Sequence, residues 1–142
     1  MKMDISRVNV WAAPIKDEPG ALAKKFESLA FAGANLEFII ARRTPEKSGK
    51  GVVYVTPFKG ARQIRAAISA GFRKSASLQA VRIAATDRPG LASKLANAIA
   101  ETGINIRGFS GANIGRRAIF HIAFDSVDDI RKATRCLKAM AS

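Results

Sequence analysis

Cysteine is nearly absent from this chain. Cys136 stands alone, so no internal disulfide can form, and the usage points to a reducing cytoplasm. Histidine is as scarce. His121 has no second histidine or cysteine at ligand spacing, which argues against a metal site. Nor does a serine or cysteine near it in sequence suggest a nucleophilic triad. No apolar run approaches the roughly 18 residues of a membrane span. The opening stretch Met1-Lys2-Met3-Asp4-Ile5-Ser6 lacks the apolar core of a secretory signal. Glycines 103, 108, 111 and 115 precede no helix in the right place, so they form no dinucleotide fingerprint. The expectation is a protein that is no enzyme and uses no metal or cofactor.

Acidic residues are also few: 11 Asp and Glu against 24 Lys and Arg, a net charge of +13. The basic residues are spread along the chain, with short clusters at Arg42-Arg43, Arg116-Arg117 and Arg131-Lys132. This pattern suits solvated basic faces, or an anionic partner such as nucleic acid or an acidic protein. The stretch Arg117 to Phe124 bears on that choice. Its ends, Arg117, Ile122 and Phe124, suit an RNA-recognition strand, but Ile119 and His121 stand where stacking aromatics are needed. Nucleic-acid or acidic-protein binding is the alternative reading.

What is present in quantity is a duplicated corner. The apolar run Leu78 to Ala85 leads into Thr86-Asp87-Arg88-Pro89-Gly90, and a helix-like run begins at Leu91. Proline suits a first helical turn, aspartate before it can cap free N–H groups, and glycine lets a ligand approach the backbone. A helix start of this kind attracts a carboxylate or phosphate. The same construction occurs 70 positions earlier as Lys16-Asp17-Glu18-Pro19-Gly20, followed by Ala21. The offset persists, because Gly33-Ala34-Asn35-Leu36 matches Gly103-Ile104-Asn105-Ile106.

Apolar periodicity fills in the rest. Alternation over Ile5 to Ala13 predicts a strand, with Val8, Val10 and Ala12 to one side and Asn9 and Trp11 to the other. A helix follows, with Leu22, Phe26, Leu29 and Ala30 on one face, and Gly33 stops it. Leu36 to Ala41 and Gly51 to Thr56 form a hairpin around a polar turn. Gly60 to Ala70 is a short helix with Ile64, Ala67 and Ile68 inward. The second half repeats the order: strand Leu78 to Ala85, helix Pro89 to Thr102, strand Asn105 to Asn113, strand Arg117 to Phe124, and a last helix whose start at Ser126 and Asp129 resembles a capping box. Gly108 and Gly111 predict a bulge or a close approach in their strand. Cys136 belongs beside the apolar face of the last helix.

Each half is therefore β-α-β-β-α, which a fourth strand would complete as a ferredoxin-like unit. The fold class is α+β: two such units, 1–72 and 73–142, with antiparallel sheets, helices on one face, and fourth strands short or missing. Uncovered edges invite pairing, so the sister unit or a second chain is expected there.

The two units resemble tandem ACT domains on the two acidic-proline-glycine corners, the two Gly-x-Asn-hydrophobic segments and the element order. The resemblance implies a regulatory module that binds an amino acid or related small molecule, pairs side by side as a homodimer, and acts on a separate client protein. It places the ligand at Asp17, Glu18, Pro19, Gly20 and Ala21 and at Asp87, Arg88, Pro89, Gly90 and Leu91. Asn35 with Leu36, and Asn105 with Ile106, reach in from the opposite unit. Loop N–H groups would take the carboxylate, Asp17 or Asp87 the ammonium, and Arg88 is a further carboxylate partner. Glu18 stands where Arg88 does, so the two pockets need not be equivalent. Ala21, Ala34 and Ala92 leave room for a ligand side chain.

Overall fold

Twice along the chain a long strand feeds a helix, then a hairpin, then a second helix. The computed structural model describes residues 2–141, the side chains of 75–78 excepted. The first pass comprises β1 (Met3–Lys16), α1 (Ala21–Phe31), β2 (Phe38–Arg43), β3 (Lys50–Thr56) and α2 (Gly60–Ser69). The second comprises β4 (Arg73–Thr86), α3 (Leu91–Glu101), β5 (Ile106–Ile114), β6 (Arg117–Phe124) and α4 (Val127–Ala141). Leu78, expected to open a strand, lies within β4, with its side chain outside the described set.

Two compact units result. One is Asn9–Ser75; the other joins the chain up to Val8 with everything from Ala76 on. In the first, here the N-terminal unit, the strand order is β2-β3-β1; in the C-terminal unit it is β4-β6-β5. All these pairs are antiparallel. β1 and β4 are neighbouring strands of 14 residues each, more than twice the usual length. Each is divided between the units. Residues 3–8 of β1 stand beside β4 in the C-terminal unit, in the place of its fourth strand, and residues 73–75 of β4 belong to the N-terminal unit. Arg7 donates to the Gln79 side-chain amide oxygen, and Arg117 lies 3.1 Å from Asp4, so residues 3–8 are tied to their unit by side chains as well.

The N-terminal core brings Trp11 and Ala13 of β1 against Leu29, Val53, Val55, Ala67 and Phe72. Trp11, Phe58 and Phe72 stack edge to face with ring centres 5.3 and 5.9 Å apart, the arrangement aromatic quadrupoles favour. Leu22, Phe26 and Ile64 join this core, but Ala30 and Ile68, both expected inward, are exposed. Each lies one residue past a buried position, at the rim of its apolar stripe.

The C-terminal core follows the periodicity more closely. Val81, Ile83 and Ala85 face Leu91, Leu95 and Ile99, with Phe120, Ile122, Phe124, Ile130 and Leu137 completing it. α4 begins as its sequence suggests, with the Ser126 hydroxyl accepting the Asp129 N–H at 3.1 Å. The Cys136 thiol is half-buried and donates to the Ala98 carbonyl. His121 is buried and sits across the ladder from Arg82 and Ser110. Among the described residues no helix is long and apolar enough to cross a membrane.

α1 and α3 both start from a glycine in the left-handed region, Gly20 at φ 85° and Gly90 at φ 81°. A Cβ at either would meet nothing within 4 Å, so the cost of a side chain there is conformational. Gly90→Ala is expected to lower unfolding free energy by about 1 kcal/mol or somewhat more, measurable by urea denaturation.

Candidate ligand-binding corners

The two corners share a backbone. At the first, the Asp17 N–H donates to Gly49 of the β2-β3 turn at 3.0 Å; at the second, the Asp87 N–H donates to Arg116 of the β5-β6 turn at 2.8 Å. Each strand end is thus pinned to the tip of the neighbouring hairpin. The chain then turns through Pro19-Gly20 or Pro89-Gly90. The Ala21 N–H returns to the Glu18 carbonyl at 3.3 Å, and the Leu91 N–H to that of Arg88 at 3.4 Å. Neither proline lies inside its helix and neither aspartate caps it, contrary to expectation: glycine holds both N-cap positions and no side chain bonds to either helix start. The left-handed glycine places the acid too far back to reach the helix N–H groups. Helix-start donors are left for another acceptor.

Both aspartates turn instead to the strand beside them, and here the corners diverge. Asp17 Oδ2 accepts from Arg43 Nε at 2.7 Å. Asp87 Oδ2 accepts from Asn113 Nδ2 at 3.0 Å. Arg43 and Asn113 occupy equivalent positions, each 26 residues from its aspartate. A cation therefore pairs with the first carboxylate, while a neutral amide holds one oxygen of the second, which forms no ion pair among the described residues. The first pair is largely exposed, 81% for Arg43 and 36% for Asp17, so it contributes at most about 1 kcal/mol to stability. Its consequence is occupancy of the corner.

The clefts differ accordingly. The first, about 260 Å³, is bordered by Lys16, Asp17, Glu18, Arg42 and Arg43. The second, about 700 Å³, is bordered by Asp87 to Ala92, by Asn113, and by Phe109, Gly111 and Phe120. Phe109 and Phe120 stack edge to face with centres 5.6 Å apart. Gly111 makes room for that pair, because a Cβ there would lie 2.7 Å from the Phe120 ring. In the N-terminal unit the corresponding ladder pair is Ala41 with Val53. β5 also carries a register shift between Ile106 and Gly108, as its glycines suggest. Gly111→Ala is expected to cost about 1–3 kcal/mol through overpacking, read as a lower denaturation midpoint.

Asp17, Glu18, Asp87, Arg88, Pro89, Gly90 and Leu91 thus border one cleft or the other. Asn35 and Asn105 do not: both are exposed in the loops ahead of β2 and β5. Leu36 and Ile106 pack against their cores. Asn113, Phe109, Gly111 and Phe120 also border the larger cleft, and the sequence motifs do not single them out. Carrying the 70-residue offset into β2 and β5 would have found Arg43 opposite Asn113.

The family model of the ACT domain matches residues 80–141. That stretch runs from the second half of β4 through α4, so the larger cleft lies within the ACT match. Solved structures match over nearly the whole chain. The regulatory subunit of aspartate kinase from Thermus thermophilus, in its ligand-free form, is similar at 21% identity over 98% of this chain and 96% of that one, with a TM-score of 0.66. A protein from Bacteroides thetaiotaomicron is similar at 17% identity over 97% and 90%, with a TM-score of 0.77. E. coli aspartokinase III, solved in complex with aspartate and ADP, is similar at 14% identity with a TM-score of 0.60; the match covers 96% of this chain but 32% of that one. These likenesses concern the fold alone. No curated protein matches the sequence.

Proposed function

We propose that this protein is a non-enzymatic regulator that binds an amino acid at the corner of its C-terminal ACT domain. The observation that carries this reading is the charge content of the larger cleft, where one carboxylate with no ion pair among the described residues, Asp87, and one guanidinium, Arg88, border an aromatic floor. A free amino acid presents the complement: an ammonium and a carboxylate a few ångströms apart, and a side chain. Asp87 accepts from the ammonium. The start of α3, with Arg88, takes the carboxylate. Phe109 and Phe120 take the side chain, so the preferred ligand is apolar.

The first corner is silent in this scheme, because Arg43 holds Asp17 where an ammonium would bind. Asn35 and Asn105 act between copies: in a homodimer an exposed asparagine of one copy completes the other's cleft. Regulation is exercised on a separate client protein whose contacts depend on that pairing. The test is a melting-temperature screen against the twenty amino acids. Apolar amino acids are expected to raise the melting temperature more than aspartate or lysine. If none raises it at millimolar concentration, the reading fails.

A further inference from the structure

The C-terminal unit has a second concave surface that the amino-acid site does not use. Residues 5–7 of β1 and the exposed side of α4 enclose a groove of about 450 Å³. Arg131, Thr134, Arg135 and Lys138 follow one another along it at helical spacing, i, i+3, i+4 and i+7. Arg7 adds a fourth cation from β1, while the half-buried Ile5 supplies apolar surface. Among the described residues no acidic side chain borders the groove. The counter-charge is Asp128, 3.5 Å from Arg131, in a pair exposed by 66% and 82%, which water screens.

Thr134, which borders the groove, carries an unsatisfied polar group. The Thr134 hydroxyl oxygen is buried and has no partner, although a mid-helix threonine commonly bonds the carbonyl four residues back. A buried hydroxyl beside several cations is a donor suited to an anionic oxygen.

We infer that this groove binds a small phosphate-bearing molecule of several negative charges, a polyphosphate or a nucleotide. Arg135 and Lys138 neutralise the phosphates, Thr134 donates to one of their oxygens, and Ile5 meets the apolar part of the ligand. Arg131 to Lys138 is about 10 Å of helix. That length suits two or three linked phosphates. A nucleic acid backbone needs a longer track for strong binding. The inference stands apart from the corner, since it shares no residue with it.

Calorimetric titration of the full chain with inorganic tripolyphosphate, ATP and a single-stranded RNA tests it. Saturable tripolyphosphate binding is expected, weakening about tenfold between roughly 50 and 200 mM salt. Arg135→Gln with Lys138→Gln should weaken it by about tenfold or more. Thr134→Val should weaken it several-fold while the unliganded melting temperature holds or rises. Lys47→Gln with Arg65→Gln, which removes two exposed cations of the N-terminal unit, should leave binding unchanged. The inference is overturned by absent saturation, by an equal loss in the Lys47/Arg65 variant, or by RNA binding that tripolyphosphate does not displace.

Discussion

Replacing Phe120 with alanine is expected to lower unfolding free energy by about 3–5 kcal/mol. The ring is 7% exposed and belongs to the C-terminal core. It also stacks on Phe109 and fills the space that Gly111 vacates. Truncation removes the transfer free energy of the ring, the edge-to-face contact and the packing against the Gly111 backbone together. Gly111 has no side chain with which to collapse into the gap, so the cavity term persists. A drop in melting temperature of about 10 °C or more should accompany it. Urea denaturation with the midpoint and slope analysed separately gives the measurement. A loss below about 1 kcal/mol would mean that the ring does not occupy this position. The experiment matters for function because Phe120 is at once core and cleft floor. A site built on such a residue is held rigidly, since moving the floor means unpacking the unit.

Asp87→Ala combined with Asn113→Ala is expected to abolish stabilisation by an amino-acid ligand. At a ligand concentration 100 times its dissociation constant, the unaltered protein gains about 2.7 kcal/mol; the double variant should gain nothing measurable. Both residues are exposed, so unliganded stability should change by no more than about 0.5 kcal/mol each. Asn113→Arg is the sharper companion. It copies the N-terminal corner, in which Arg43 lies 2.7 Å from Asp17, and should remove the ligand response while leaving the fold intact. Asp17→Ala should leave the response as it was. A response lost with Asp17→Ala and kept with Asn113→Arg would transfer the site to the other corner.

Much of this molecule was legible as a line of residues. The inward faces of β4, β6 and α3 follow from strict periods of 2 and 3.6, and Val81, Ile83, Phe120, Ile122, Phe124, Leu95 and Ile99 are buried as those periods require. The Ser126 cap is local chemistry, and the structure retains it. Where the periodicity was ambiguous it misled by one residue, at Ala30 and Ile68, because the edge of an apolar stripe is decided by what lies above it. Asp17 and Asp87 failed as caps for a different reason. A left-handed glycine holds each N-cap position and keeps the acid out of reach, so the carboxylates turn to Arg43 and Asn113, 26 residues away.

By itself, then, the amino-acid order determined the duplication: two copies of one strand–turn–helix–hairpin–helix plan, because hydrogen-bonded periodicity and glycine-proline turns act over a few residues at a time. Tertiary structure alone decided what stands beside what. Residues 3–8 occupy the fourth-strand place of a unit that otherwise begins at Ala76. An arginine seals one corner where an asparagine leaves the other open. Both are long-range pairings between segments whose local propensities say nothing of each other, so only the folded chain could choose them.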